Sequence, residues 1–354
     1  MVGMCGALAL LASCSSTKAP SASSAGGAAG TSSAGQGGAG ATGGTAATGG
    51  AALAGNAGSS TGGTDAGGAG GLAGSAGSST GGAGASGADG GPSTCAKPYA
   101  SGRRSLTLVV AGTTRRFLLY VPKGYVGTTP LPLVFNLHPT GTSPESNEDS
   151  TKMETFADQR GFVVVALEGI NRVWNVALDP TRPSDVAFAE AVLGFASTNL
   201  CIDNGRVYST GMSGGARMSS RFACALGKRI AAIAPVAGLR NDPPCQVSGI
   251  DVLTIHGTKD ATNFYNGCPQ ADTACSRNGE WVESVENAVG DWVSANGCAA
   301  TPVIDDLGGG VTRRSYQTCT TGSVVVFYRV EGGTHDWYQL PDTTKIVVDF
   351  LLSH

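Results

Sequence analysis

Charged residues are scarce in this chain of 354 residues: they make up 14% of it, with 23 Lys and Arg against 26 Asp and Glu. No basic excess points to nucleic acid, and there is no acidic tail. Histidine is rarer still, with four in all. No Cys-x-x-Cys pair is present, and no histidine lies near the cysteines at ligand spacing, which argues against a metal site.

Bulky side chains are almost absent from residues 15–94, which consist nearly entirely of Gly, Ala, Ser and Thr. Within them "LAGNAGSSTGG" at 53–63 recurs as "LAGSAGSSTGG" at 72–82. Such a segment has too little apolar bulk to offset the loss of chain entropy on folding. We therefore predict a disordered linker over 15–94, followed by one folded domain over 95–354.

The first 14 residues, "MVGMCGALALLASC", form an apolar run that is too short to span a bilayer. The run ends in Leu-Ala-Ser-Cys, which resembles a bacterial lipoprotein signal with Cys14 as the lipidated residue. It lacks the Lys or Arg that a secretory signal carries, and a chance Leu-Ala-Ser-Cys is the alternative. We expect an extracellular or cell-surface protein that touches a membrane only through a lipid anchor.

Cysteine usage agrees with export. Eight cysteines fall in the predicted domain, an even number that an oxidising compartment would join into four disulfides. Spacing alone leaves the connectivity open. The local pairings that we favour are Cys268–Cys275, Cys298–Cys319 and Cys224–Cys245, which leave Cys95–Cys201.

Strand-like and helix-like segments alternate through residues 95–354. An antiparallel hairpin, "SLTLVV" and "FLLYV", comes first. Continuous Val, Ile and Leu runs then indicate strands buried on both faces. This pattern predicts an α/β fold with an open, mostly parallel central sheet and helices on both faces. The predicted helices lie near 148–160, 184–199, 214–226, 280–295 and 341–353.

The pattern Gly-x-Ser-x-Gly occurs three times, centred on Ser60, Ser79 and Ser213. The first two copies lie in the predicted linker, with no strand before them and no helix after them. "RVYSTGMSGGARMSSRFACAL" instead predicts strand, sharp turn and helix, which is the context that presents a nucleophilic serine. Ser213 is therefore the candidate nucleophile, and a capping serine at a glycine-rich turn is the alternative.

A neutral serine needs a base, and in this fold class the chain order is serine, acid, histidine. His335 lies in a Gly-rich loop after the last core strand, so it is the candidate base. Asp260, in "HGTKD", is the candidate acid. The rivals to Asp260 as the acid are Asp336, which adjoins His335, and Asp305 and Asp306, which lie in a predicted surface turn. We interpret His256 as a buried residue that is hydrogen-bonded at a strand end.

Two backbone N–H groups are needed to hold an oxyanion. Gly214, at the start of the helix after Ser213, is the first candidate donor. The second comes from the loop "HPTGTS". Pro139 has no N–H, which leaves Thr140 or Gly141, with His138 positioning the loop. An ordinary turn is the alternative.

With these residues placed, residues 95–354 resemble the α/β-hydrolase family of secreted feruloyl esterases and polyhydroxybutyrate depolymerases, including related lipoprotein esterases. The matching stretches are "LPLVFNLH", "CIDNGRVYSTGMSGGARMS", "IAAIAPVAG", "IHGTKD" and "GGTHDW". The resemblance implies ester hydrolysis through an acyl-enzyme, with no metal or organic cofactor. The chain departs from the family at His138-Pro139, where His-Gly is common, and at Asp336-Trp337-Tyr338.

The ester itself is left open by the sequence. A plant cell-wall polysaccharide ester or a polyester are the candidate substrates. Trp174 and Trp337, with His138, are candidate substrate-binding residues, and simple packing is the alternative for both tryptophans. Other functions that stay open are an acetyl-xylan esterase or a peptidase of the same fold, and a non-catalytic surface binding protein.

Overall fold

The computed structural model describes residues 95–241, 245, 247–276 and 281–354. The predicted signal segment with Cys14 and the predicted linker, with its two further Gly-x-Ser-x-Gly copies, lie outside the described residues. All of the predicted catalytic residues and all eight cysteines of the domain lie inside them.

A single ten-stranded sheet, in the order β1-β2-β4-β3-β5-β6-β7-β10-β9-β8, runs through the described part of the chain. Its six central strands are parallel, while the pairings of β1 and β2 at one edge and of β9 and β8 at the other are antiparallel. The strands are β1 (Gly102–Val110), β2 (Thr113–Val121), β3 (Leu131–Leu137), β4 (Val163–Leu167), β5 (Ile202–Met212), β6 (Ala232–Val236), β7 (Asp251–Gly257), β8 (Val303–Asp306), β9 (Val311–Tyr316) and β10 (Val325–Val330).

Helices cover both faces of this sheet. Side chains of α3, α4 and α5 join the core on one face, and those of α2 and α6 join the core on the other. The described helices are α1 (Pro144–Thr151), α2 (Met153–Arg160), α3 (Asp185–Asn199), α4 (Gly214–Leu226), α5 (Val285–Ala295) and α6 (Thr343–Leu352). The structure thus confirms the predicted α/β fold, and the first two strands confirm the predicted hairpin.

The continuous apolar runs of the central strands follow from this two-sided cover. Successive side chains of a strand point to opposite faces, so both sets must be apolar when both faces are buried. In β3, Leu133 and Phe135 enter one core while Val134 between them enters the other. None of the described helices combines the length and apolarity that a bilayer crossing needs.

Two sequence predictions need correction. The predicted helix near 148–160 is two helices. Lys152 adopts φ 54° and caps the C-terminus of α1, where its backbone N–H donates to the Glu148 carbonyl. Asp305 and Asp306 lie in strand β8 and not in a surface turn. This edge strand is short and largely exposed, so it carries no alternation of apolar and polar residues from which a strand is recognised.

Candidate active site

Ser213 sits on a strained turn between β5 and α4. Its backbone adopts φ 58° and ψ −117°, a conformation that L-residues rarely take and that costs about 1–3 kcal/mol. Gly211 and Gly215 flank it, and a Cβ on either would overlap the carbonyl oxygen of Leu137 in β3. The glycines therefore let strand and helix approach closely, and the turn places Ser213 at the carboxyl edge of the sheet.

Asp260 follows β7 at the same edge and is held by its own turn. Its Oδ1 accepts the backbone N–H groups of Thr262, at 2.7 Å, and Asn263, at 2.8 Å. Its Oδ2 faces Nδ1 of His335 at 2.7 Å. An ionised carboxylate can only accept, so Nδ1 carries the proton and Nε2 of the neutral ring presents a lone pair.

His335 lies in the loop between β10 and α6, and its side chain keeps 18% exposure while that of Asp260 has none. Strand order explains why His335 meets Asp260 and why Ser213 lies at the same edge, since β5, β6, β7 and β10 are consecutive parallel neighbours. The segments that leave their carboxyl ends, with Ser213, Asp260 and His335, share one edge of the sheet. The rival acid Asp336 accepts the backbone N–H of Trp337 instead.

The charge of Asp260 is set by its two histidine neighbours. Burial alone would raise the pKa of this carboxyl, but hydrogen bonds from His256 and His335 outweigh burial and hold the pKa well below its usual range. Asp260 is therefore ionised at neutral pH and can orient and stabilise a protonated His335.

His256 is the site residue whose contact with the acid the sequence did not reveal. As predicted, it is buried at the end of β7 and hydrogen-bonded, with Nε2 2.9 Å from the carbonyl oxygen of Asn263. The same Nε2 lies 3.2 Å from Oδ2 of Asp260. The sequence feature that could have indicated this contact is the position of His256 at a strand end, four residues before Asp260.

Gly214 and Thr140, the two candidate oxyanion donors, are close neighbours at the turn of Ser213. Gly214 opens α4, where the first N–H groups of a helix have no partner within the helix. A Cβ on Gly214 would lie 3.2 Å from the Thr140 nitrogen. The Gly141 N–H already donates to the Arg172 carbonyl at 2.8 Å, whereas the Thr140 N–H has no acceptor among the described residues. The geometry therefore favours Thr140 over Gly141.

The residues proposed to bind substrate lie inside the protein. Trp174 and Trp337 are 3% and 5% exposed and His138 is fully buried. The Trp174 indole N–H donates to the His138 carbonyl at 2.8 Å, and that of Trp337 to Thr344 Oγ1 at 2.9 Å. Both indole N–H groups thus have acceptors in the interior, which favours the packing alternative for the two tryptophans.

His138 supports the loop that carries Thr140. Its Nε2 accepts the Gly169 N–H at 3.1 Å, so the proton is on Nδ1, which donates to the Pro139 carbonyl at 2.8 Å. Burial lowers the pKa of His138, with a partial offset from the Pro139 hydrogen bond. His138 is thus neutral, and its ring is not accessible as a base.

The eight cysteines form four disulfides, which are the pairs that spacing favoured: Cys95–Cys201, Cys224–Cys245, Cys268–Cys275 and Cys298–Cys319. Four disulfides are typical of proteins that fold in an oxidising compartment. No cluster of three or more His, Cys, Asp or Glu suited to a metal ion occurs within the described ranges.

Known proteins with similar sequences are esterases. The chain is 30% identical over 249 residues to a Nocardia uniformis protein named "Putative esterase NocK", covering 65% of this chain and 72% of that one. It is 28% identical over 266 residues to feruloyl esterase D of Neurospora crassa, covering 69% and 82%. Feruloyl esterase B of Piromyces equi is 26% identical over 231 residues, and the chain spans 42% of its length.

The fold has a solved counterpart in the acetyl xylan esterase of Aspergillus awamori, with a TM-score of 0.50 and 15% identity over 66% of this chain and 94% of that one. No family model matches the sequence. Sequence relatives, fold and the serine turn agree, and the chain belongs to the feruloyl-esterase-related family of serine ester hydrolases with the α/β-hydrolase fold.

Proposed function

We propose that Ser213, His335 and Asp260 are the nucleophile, base and acid of this esterase, with Gly214 and Thr140 as the oxyanion donors. The observation that carries the proposal is the 2.7 Å contact between His335 Nδ1 and Asp260 Oδ2. It fixes the tautomer that leaves Nε2 as the proton acceptor, at the sheet edge where Ser213 sits on its strained turn.

In the first half of the reaction, the Ser213 hydroxyl attacks the ester carbonyl carbon and its proton passes to His335 Nε2. The carbonyl electron pair moves to oxygen, where the N–H groups of Gly214 and Thr140 stabilise the charge. Collapse of this intermediate breaks the ester C–O bond. The leaving alkoxide takes the proton from His335, so an alcohol departs and an acyl-enzyme remains.

Water completes the cycle. His335 removes a proton from water as it attacks the acyl carbon, and the proton is then returned to the departing Ser213 oxygen. Asp260 remains ionised throughout, because its two histidine donors and two backbone donors hold its negative charge. The products are a carboxylic acid and an alcohol, and no cofactor enters a step.

For the substrate, we propose hydroxycinnamate esters of plant cell-wall polysaccharides, supported by the relatives named feruloyl esterases in Neurospora crassa and Piromyces equi. Polyhydroxybutyrate oligomers are the alternative that the family resemblance leaves open. For location, we propose an extracellular or cell-surface catalytic domain over 95–354, tethered through a linker over 15–94 to a lipid on Cys14. The four disulfides support an oxidising compartment.

The test is a substrate panel with the wild-type protein and Ser213→Ala. We expect the wild type to hydrolyse p-nitrophenyl acetate and methyl ferulate, and Ser213→Ala to lose at least roughly 10³-fold in kcat. Equal rates for both proteins would refute the role of Ser213. If the wild type hydrolysed hydroxybutyrate oligomers but not methyl ferulate, the proposed substrate class would be wrong and the proposed site would stand. If the wild type hydrolysed none of these esters, a binding protein would be favoured.

Location has its own test. Metabolic labelling with a radioactive fatty acid should mark the wild-type protein and not Cys14→Ala. A thiol count on the exported protein, denatured without reductant, should find none of the eight domain cysteines free. Eight free thiols would refute the oxidising compartment.

A further inference from the structure

The loop of Thr140 is supported by one neighbouring turn, residues 169–174, which we call the bracing turn. This turn follows β4 and contains two consecutive non-glycine residues with positive φ, Asn171 at 53° and Arg172 at 61°. Each such residue costs about 1–3 kcal/mol and keeps this conformation only when its surroundings hold it in place. The contacts of this turn explain what holds it.

Three hydrogen bonds join the bracing turn to the loop from His138 to Gly141. The Gly169 N–H donates to His138 Nε2 at 3.1 Å, and the Trp174 indole N–H donates to the His138 carbonyl at 2.8 Å. In the other direction, the Gly141 N–H donates to the Arg172 carbonyl at 2.8 Å. These bonds restrain the residues on both sides of Thr140.

A buried ion pair holds the segments on both sides of the bracing turn. Arg115 in β2 and Asp185 in α3 are each 2% exposed, and Nη2 lies 2.5 Å from Oδ1. The same Arg115 Nη2 donates to the Glu168 carbonyl at 3.0 Å, just before the turn. Asp185 Oδ2 accepts the Asn175 N–H at 2.6 Å, just after it. One ion pair thus clamps both ends of the turn.

A ring contact adds to this clamp. The Arg115 guanidinium also lies over the Phe188 ring, 4.3 Å from its centroid, which is a favourable cation–π contact. A chain of short contacts therefore runs from the ion pair through the bracing turn to the loop of Thr140. A shift of about 1 Å in a catalytic group, caused at a distance, can reduce a rate roughly 100-fold.

We propose that the bracing turn and its ion pair set the position of the Thr140 N–H, which makes Trp174 and His138 positioning residues of the oxyanion site. This inference rests on the proposed function, because it assumes that Thr140 stabilises the oxyanion. It predicts that loosening the bracing turn weakens transition-state stabilisation while ground-state binding stays the same.

The test variant is Trp174→Phe, which removes the indole donor and keeps an aromatic ring. The matched control is Trp292→Phe in α5, which removes an equally buried indole donor, 2.9 Å from the Arg240 carbonyl. The measurements, on the full chain, are kcat and KM for p-nitrophenyl acetate, the melting temperature, and inhibition by a trifluoromethyl ketone. Addition of the Ser213 oxygen to this ketone, with transfer of its proton to His335, creates a stable oxyanion.

We expect Trp174→Phe to lower kcat roughly 10- to 100-fold with KM within about 3-fold of wild type, and to weaken ketone inhibition by a similar factor. Trp292→Phe should lower the melting temperature about as much as Trp174→Phe does, but it should not change kcat or ketone inhibition in this way. Equal kcat and inhibition in the two variants, or a change confined to KM, would overturn the inference. An active Ser213→Ala would instead refute the proposed function, so the two failures are distinct.

A measurement on the wild-type protein covers the case in which Trp174→Phe does not fold. Thr140 and Gly141 are both exposed, yet only the Gly141 N–H has an acceptor in the bracing turn. We expect amide hydrogen exchange, resolved by NMR, to be fast at Thr140 and protected at Gly141. Fast exchange at Gly141 would mean that the bracing turn does not hold the loop, and would overturn the inference.

Discussion

Two of the buried carboxyl groups among the described residues, Asp260 at the candidate active site and Glu148 in α1, differ in ionisation because their surroundings differ. Each residue is 3% exposed. Asp260 meets two histidine nitrogens, and its pKa is lowered. Glu148 accepts from the neutral Asn136 amide at 2.6 Å, and burial raises its pKa to about 8.

Burial therefore does not decide whether a carboxyl group is ionised; its partners do. A donor that can carry positive charge stabilises the carboxylate, whereas a neutral amide does not offset the loss of hydration. Glu148 is consequently neutral at pH 7, and its Oε2 has no hydrogen-bond partner among the described residues. The same carboxyl chemistry suits the proposed catalytic role in one place and a buried structural role in the other.

The largest expected effect comes from removing the base beside Asp260. We expect His335→Gln to lower kcat for p-nitrophenyl acetate by roughly 10⁵-fold or more, because the variant lacks the imidazole that is proposed to take the Ser213 proton. The matched change His138→Gln, at a buried histidine without contact to Asp260, should retain far more activity. Comparable losses in both variants would contradict the choice of His335 as base.

Neutralising the acid should have the next largest effect. In Asp260→Asn the amide cannot hold the His335 tautomer or its positive charge, so kcat should fall roughly 10³- to 10⁴-fold. Because the folded pKa is lowered, the ionised Asp260 contributes stability above its unfolded pKa of about 3.9 and loses it as pH falls further. Melting temperatures of wild type and variant should therefore converge in acid, and a constant difference would contradict the lowered pKa.

His256 should matter less and in a graded way. His256→Phe keeps a ring between Tyr265 and Trp281 but removes the donor to Asp260, so we expect a loss of roughly 10-fold in kcat with little change in KM. His256→Gln restores an N–H donor and should recover part of the rate. If Gln gave no recovery over Phe, the contact with Asp260 would be structural only.

Glu148 should affect stability and leave kcat unchanged. Its folded pKa of about 8 lies above the usual glutamate value of 4.5, so between these pH values the folded protein retains a proton that the unfolded chain has lost. As pH rises through this range, the free energy of unfolding should therefore fall by about 1.4 kcal/mol per pH unit. Glu148→Gln should flatten the fall, as measured by denaturant unfolding from pH 5 to 9. An unchanged slope would show that Glu148 is already ionised.

Much of the site could be predicted because its signals are local in the sequence. The turn around Ser213 needs glycines at fixed spacing, and the order of Ser213, Asp260 and His335 follows from strands that end at one edge. The burial of Trp174 and Trp337 could not be predicted in this way. An indole with an N–H fits a buried position with an acceptor as well as a substrate wall, and the acceptor comes from a distant segment.

By itself, the sequence determined the α/β-hydrolase fold, the serine turn and the candidate base and acid, because periodicity, glycine spacing and chain order are properties of short segments. It favoured one set of cysteine pairs, which the structure then showed. Only the tertiary structure decided that, among the described residues, the Gly141 N–H has an acceptor and that of Thr140 has none, that His256 contacts Asp260, and that Arg115 and Asp185 clamp the bracing turn. These contacts join residues up to 70 positions apart, and hydrogen-bond partners at that separation exist only once the chain has folded.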